Sequence, residues 1–574
     1  MLRRTFLFAV LAASAVALVV AAAGIAKKPD PGLEALAKVN HIVVIYEENH
    51  SFDNLYGGWE GVNGLGNAAN ASAQVNQNGK PFSCLMQQDV NLTAPSPLAT
   101  TCTDTTTATS FTSHFTNTHF SIDSFLGAAA ATCPNPGVFA TNGLLNGSGA
   151  PGGCTRDIVH RYYQEQFQID NGKMDRYVQG SDATGLAMGT YDTTQLPIYE
   201  YLHETGHPKY AILDNFFQGA FGGSFLNHQL LVAGTAPTWV GAINDGGVDD
   251  LHSVVDGNGM PNNYPLYASP LGGNVKDQQL TASCNPGPGR SPTLTGTVCG
   301  DYAVNTTQPF YQPYSPGTAV TRRIPPLTNA TIGDRLSAAG VDWAWYSGGW
   351  SNANGDVGAP GWTNGSGTTC SDPGHLSTAV YPNCPDADFQ FHHQAFNYYA
   401  NFAPGTQARK DHLKDQASFT YAVKTSRKQC NLKSVSFVKP IGEENEHPGY
   451  ASESNGSSAL VSTLKAIEGS ACAKDTMVVV TYDEFGGQWD HVAPPGTKGG
   501  VPGPHDIWGP GTRIPALVVS PALKSDFVVD HVEHDTLGVL TTIERRWKLA
   551  PLTPRDGSEA SLATVFDAKQ PAGV

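Results

Sequence analysis

Apolar residues along this chain fall into short unbroken runs separated by stretches of helical period. Residues 41–46 (HIVVIY), 341–347, 434–440 (SVSFVKP), 477–482 (MVVVTY) and 516–520 are each too short for a helix and too uniformly apolar for a half-exposed strand. They predict strands buried on both faces. Residues 160–178, 196–205 and 537–547 carry helical patterns, and 331–339 opens on a capping threonine, Thr331. A short strand is expected over 211–217, just before Ser224. Such alternation of strands with helices argues an α/β fold.

Two regions break the pattern. Residues 60–155 are rich in Asn, Thr, Ser, Ala and Gly, and residues 235–328 in Gly, Pro, Asn and Thr. Both read as long loop insertions near the rim of a site, since extended irregular stretches in compact domains usually serve function. A length of 574 residues alone suggests several domains. The chemistry-bearing segments, however, run from residue 48 to residue 484, so residues 27–574 are expected to form one catalytic domain.

Those segments begin where two apolar runs stop. The first run is followed at once by Glu47, Glu48, Asn49 and Asp53, and the run over 477–482 by Asp483, Glu484, two glycines and His491. Acidic residues after a strand are often helix caps or solvated turns. Two strand ends that both offer oxygen ligands, at the sheet edge where α/β proteins bind their ligands, point instead to a divalent cation. A secreted binding or structural protein holding calcium is the alternative of another class, but the Asp-x-Asp-x-Asp-Gly loop is absent.

Charge and the chain ends narrow the setting. A net charge of −16 repels polyanions and gives no support to nucleic-acid binding. Arg3 and Arg4, an apolar stretch over 6–25 and small residues around Ala21 to Ala26 read as an export signal over residues 1–26, with a membrane anchor as the alternative. Ten cysteines then suggest disulfides in a periplasmic or secreted protein. Nearest-neighbour pairing would join Cys84 to Cys102, Cys133 to Cys154, Cys284 to Cys299, Cys370 to Cys384 and Cys430 to Cys472.

The motifs HIVVIYEENHSFDNLYG, HRYYQEQFQIDNGKMDRYV, GGSFLNHQ, FQFHHQAFNYYANF, EENEHPGY, TYDEFGGQWDHV and the closing RIPALVVSPALKSDFVVDHVEHDTLGVLTTIERRW, taken in this order, resemble the phosphoesterase family. That family contains bacterial acid phosphatases and phosphatidylcholine-type phospholipases C, within the alkaline-phosphatase superfamily. His50 and the run Ser224-Phe225-Leu226-Asn227-His228 resemble the acid phosphatase branch more closely.

The resemblance implies an alkaline-phosphatase-like sandwich with a mainly parallel central sheet flanked by helices. It also implies an exported hydrolase of phosphate esters, with lipid head groups as the alternative substrate. Ser224 would be the nucleophile, held on one divalent metal ion (Mg, Ca, Mn, Zn or Fe) with Glu48, Asn49, Asp483 and Glu484. His160, His393 and His447 would supply charge stabilisation and the leaving-group proton, while Asn227, His228 and His392 would bind substrate. His491 would orient Asp483 or Glu484. No GxSxG elbow surrounds Ser224, so activation by a cation replaces the base of a catalytic triad.

Overall fold

In a computed structural model the apolar runs assemble into one eight-stranded sheet. The structure describes residues 31–87, 98–107, 110–123, 128, 157–239, 253–256, 297–365, 370, 383–386, 388–496 and 506–571. In chain order the strands are β1 (His41–Glu47), β2 (Tyr210–Leu213), β3 (Trp343–Ser347), β4 (Leu413–Asp415), β5 (Val435–Lys439), β6 (Thr476–Tyr482), β7 (Ala516–Val519) and β8 (Phe527–Asp530). Across the sheet they lie in the order β4-β3-β5-β1-β6-β7-β2-β8. Only β7 runs against its neighbours, so the sheet is mixed and mainly parallel, as expected.

Both faces are covered, which is why the central strands are apolar throughout. The longer helices among the described residues are α1 (Tyr162–Ile169), α2 (Pro197–His203), α3 (Ser224–Ala233), α4 (Ile332–Ala338), α5 (Gln416–Thr425), α6 (Glu453–Glu468) and α7 (Leu537–Trp547). Strand alternation shows the two layers. Tyr46 and Trp345 meet His228 of α3, with ring centroids 4.9 and 6.1 Å apart, whereas Tyr346 meets Phe419 of α5 at 5.5 Å. Helices α4 and α7 pack with α3 on the first face, and α6 packs with α2 and α5 on the second.

Register then builds a site. Ile45 lies beside Val438 of β5 and Val480 of β6, and Glu47 beside Tyr482, so the carboxyl ends of three parallel strands finish together. Asn and acidic residues leave two of those ends, and Lys439 closes the third.

Several expectations needed adjustment. The pattern over 160–178 is not one helix: α1 stops at Ile169 because Asp170 and Asn171 turn left-handed (φ 43° and 56°) ahead of Gly172. Strands β4 and β8 and helices α5 and α6 went unread. The buried stripe of α6 starts with Glu453, Gly456 and Ser457 before reaching Leu460, Leu464 and Ile467, so half of it carries no apolar signal. Small residues are needed there, since a Cβ at Gly456 would lie 2.3 Å from Glu446 Cγ.

The insertions hold antiparallel strand pairs, Cys102–Asp104 with Phe111–Ser113 and Ser253–Asp256 with Thr297–Tyr302. Disulfides join Cys84 to Cys102, Cys370 to Cys384 and Cys430 to Cys472, as nearest-neighbour pairing predicts. The Cys133–Cys154 and Cys284–Cys299 couples, and the export segment over 1–26, lie outside the described side chains. Among the described residues no helix is long and apolar enough to cross a membrane.

Candidate active site

Glu48 and Asn49 leave β1, Asp483 and Glu484 leave β6, and all four are fully buried. Asn49 adopts φ 59°, which an asparagine tolerates, and its backbone N–H donates to Asp483 Oδ1 at 3.1 Å. The second loop can approach this closely only through Gly486, where a Cβ would fall 2.1 Å from the Asn49 carbonyl oxygen.

Ser224 is the first residue of α3. The turn before it needs Gly222, which adopts φ +88° and where a Cβ would lie 2.5 Å from the Tyr162 nitrogen. Glu165 of α1 holds this turn. Its Oε2 accepts the Gly222 N–H at 2.6 Å and Gln218 Nε2 at 2.9 Å, and its Oε1 accepts the Thr512 N–H and Oγ1–H at 2.7 and 2.8 Å. Burial pushes the Glu165 carboxyl up to about 8, against those four donors. Replacement Glu165→Gln presents an amide N–H to one of those donors. It should cost about 1–3 kcal/mol of stability and lower kcat by displacing Ser224, measured by thermal melting and single-turnover kinetics.

Asn227 pins the turn from the other side. Its amide donates to the carbonyls of Ala220, Gly222 and Gly223 at 3.1, 3.3 and 3.2 Å and accepts the Ala220 N–H at 2.8 Å. The amide expected to meet substrate is therefore spent on shaping the turn before Ser224.

Around Ser224 the side chains of Asn49, Asp483 and Glu484 each have one end held by a protein hydrogen bond and an oxygen at the other end without one. Asp483 Oδ1 accepts two backbone N–H groups, from Asn49 and Glu484, while Oδ2 accepts none. Glu484 Oε2 accepts the Gly486 N–H at 2.6 Å, leaving Oε1. The Asn49 amide donates to His447 Nε2 at 3.2 Å, leaving Oδ1. Glu48 Oε2 accepts the Ser224 hydroxyl at 3.2 Å. Buried oxygens without hydrogen-bond partners are rare, and a set of hard ones beside a serine hydroxyl fits a divalent cation. Glu48, Asn49, Ser224, Asp483 and Glu484, the ligands expected from sequence, thus lie at two strand ends and the start of α3, while Glu48, His228 and His393 bring ligand atoms within 4.8 Å of one another and could also hold a metal ion. Burial, then mutual repulsion, holds the carboxyls of Glu48 and Glu484 well above their ordinary range, and burial raises that of Asp483 as well.

Histidines ring the other side. His393 Nε2 lies 3.2 Å from Glu48 Oε1, and its ring stacks on that of His228 at 4.9 Å. His228 donates through Nδ1 to the Ser224 carbonyl at 2.8 Å, which leaves Nε2 as the acceptor nitrogen, 3.9 Å from Glu48 Oε1. Of the adjacent pair, His393 faces Glu48 and His392 packs edge-on against His393 at 4.4 Å. His447 is a link rather than a free ring: Nδ1 donates to the Pro448 carbonyl at 2.8 Å and Nε2 receives the Asn49 amide. Burial, reinforced by Lys439 and by one another, keeps His228, His393 and His447 well below the ordinary imidazole range and His392 near about 3.

His160 stands apart at the mouth. Its Nδ1 donates to the Ile158 carbonyl, its Nε2 lies 3.3 Å from Glu484 Oε1, and the side chain is 17% exposed. It shares a cavity of about 310 Å³ with Gly223, Phe225, Arg161 and Asn305.

Other residues are placed differently from expectation. His491 does not reach Asp483 or Glu484. It bonds Asp53 through Nδ1 at 2.6 Å, in a buried clamp where Arg513 grips Asp53 at 3.0 Å and Asp490 at 3.1 Å. This clamp ties the loop after β1 to the loop after β6. His50, used to choose a family branch, bonds Asn54 and the Glu446 carbonyl behind the site. Lys439, Glu165 and Arg513 were missed. Lys439 carried a usable signal, since it ends an apolar run at the same sheet edge as Glu48 and Asp483. Glu165 and Arg513 act across the fold and carried none.

A stretch of 147 residues is 29% identical to non-specific phospholipase C6 of Arabidopsis thaliana, covering 22% of this chain and 28% of that protein. Another of 130 residues is 35% identical to phospholipase C B of Mycobacterium tuberculosis, covering 20% and 24%. The chain therefore matches only about a quarter of the length of these relatives. Among solved structures, a protein in the alkaline phosphatase superfamily from Vibrio parahaemolyticus is similar over 64% of this chain and 63% of that one, at 10% identity and a TM-score of 0.27. The Phosphoesterase family model matches residues 39–550. On that match, which spans nearly the whole described fold and every residue of the site above, the chain belongs to the Phosphoesterase family.

Proposed function

We propose that this protein is an exported, metal-assisted hydrolase of phosphomonoesters, resembling acid phosphatases, that works through a phosphoserine on Ser224. The observation that carries the reading is the set of free, buried oxygens on Asn49, Asp483 and Glu484 beside a serine hydroxyl bonded to Glu48. A divalent ion bound there lowers the cost of forming the serine alkoxide and offsets phosphate charge.

The chain's own groups do the rest. Ser224, fixed at the start of α3 by Glu165 and Asn227, gives its hydroxyl proton to Glu48 Oε2, which already accepts it in a hydrogen bond, and attacks phosphorus in line, so the Oγ–P bond forms as the bond from phosphorus to the leaving oxygen breaks. Backbone N–H groups at the start of α3 point toward the incoming phosphate. His228 and His393, stacked and each with Nε2 free of hydrogen bonds, line its equatorial side. His160 faces the cavity and, with Nδ1 donating to Ile158 and Nε2 beside Glu484, is placed to give its Nε2 proton to the departing alkoxide. His447 keeps the Asn49 oxygen aimed inward. Water then cleaves the Oγ–P ester in a second displacement and restores Ser224.

Phospholipase C activity is the second reading, favoured by the names of the curated relatives. The cavity beside His160 and Gly223 is small and partly polar, lined by Arg161, Asp182, Asn305 and Thr306, which suits a compact polar alcohol better than a diacylglycerol. Specificity constants for a soluble aryl phosphate and for dispersed phosphatidylcholine, compared from about pH 5 to 8 where histidine titrates, should favour the aryl phosphate throughout. A higher constant for the lipid would move the protein to the phospholipase reading and leave the Ser224 chemistry in place. The Cys84–Cys102 disulfide of the first insertion and the Cys370–Cys384 disulfide accord with an oxidising, exported setting.

A further inference from the structure

Lys439 is the one fully buried ammonium at the site, and none of the chemistry above uses it. It ends β5, the strand next to β1, and reaches across the end of β1. Its Nζ donates to the Tyr46 carbonyl at 2.7 Å and the Glu47 carbonyl at 3.4 Å, and it contacts Glu48 Oε1. Two hydrogen bonds and one ion pair thus fix the ammonium. A buried cation costs several kcal/mol unless it is paired in this way. Because Oε1 is taken, Glu48 turns Oε2 to the Ser224 hydroxyl.

Charge gives the same result by a separate route. The ligand set contains three carboxylates, on Glu48, Asp483 and Glu484, and all three are shielded from water. Offset by the ammonium of Lys439, they leave two negative charges, which one divalent cation neutralises. The Glu47 side chain lies on the opposite face of β1 and is not part of this set.

We propose that Lys439 is a built-in cation that positions Glu48 and restricts the site to a single divalent ion. It rests on the metal-assisted reading above and deepens it. Lys439 acts through Glu48 and is a positioning residue, not a catalytic one.

The test is a calorimetric titration of the full, metal-stripped chain with Mn²⁺, with bound metal counted by elemental analysis. Wild type should bind one ion. Lys439→Met and Lys439→Gln remove a repelling charge beside the ion, so each should bind Mn²⁺ at least about tenfold more tightly, with circular dichroism unchanged. Their turnover with an aryl phosphate should nevertheless fall, because Glu48 is no longer held against Ser224. Mere loss of packing would weaken both binding and turnover. Unchanged or weaker Mn²⁺ binding in either folded variant overturns the proposal. Should neither variant fold, the wild-type count decides: one ion supports it, and two ions overturn it. A wild type that binds no ion overturns the metal-assisted reading, and the Lys439 proposal with it.

Discussion

Ser224→Ala should lower kcat by about 10⁴-fold or more while leaving the fold intact. The hydroxyl makes one side-chain bond, to Glu48 Oε2, and its removal leaves α3 anchored by the Gly222 bond to Glu165 and by the four bonds of Asn227. Melting temperature should therefore barely move. Steady-state kinetics beside thermal melting distinguishes this variant from Glu165→Gln, in which activity falls together with stability. An alanine variant within tenfold of wild type would rule out a covalent mechanism on this residue.

Asp483→Asn should weaken metal binding by about 100-fold or more, since a ligand matters more than the outer partners whose loss typically costs 10–100-fold. Oδ1 accepts the Asn49 and Glu484 N–H groups, and an asparagine oxygen can still do so. Its NH₂ then replaces Oδ2, the free oxygen, removing a negative charge and putting donor hydrogens where a cation would sit. The metal-free protein should respond in the opposite direction. Burial opposes ionisation of all three, and the charge of Asp483 adds repulsion at Glu48 and Glu484, so deleting that charge should raise the melting temperature of chelated protein above that of chelated wild type at neutral pH. Titration with Mn²⁺ and melting with and without chelator check both halves. A variant that binds metal as wild type does would remove Asp483 from the ligand set.

The skeleton of this arrangement was legible because a strand buried on both faces must be apolar for its whole length, and its end is then marked by the first charged residue. That contrast exposed β1 and β6, and with them Glu48, Asn49, Asp483 and Glu484. Family motifs supplied Ser224 and the histidines. What stayed hidden depends on contacts between distant segments. Nothing local tells that Asn227 bonds three carbonyls behind it, or that Glu165 reaches Thr512 across the molecule. His447 reads as a phosphate ligand in EENEHPGY, yet its ring is used at both nitrogens, by Pro448 and Asn49. Helix α6 escaped notice because close packing on Glu446 required glycine where the helical period needed an apolar residue. Lys439 was legible in part, as a charge near the end of a buried apolar run at the same sheet edge as Glu48 and Asp483.

The most direct test of the central claim is to quench wild-type protein in acid during turnover of a ³²P-labelled aryl phosphate and map the labelled peptide. The account predicts phosphate on the peptide containing Ser224, released at the rate of turnover when the label is chased. Label on a histidine peptide, or no label under conditions where product forms in a single-turnover burst, would contradict it.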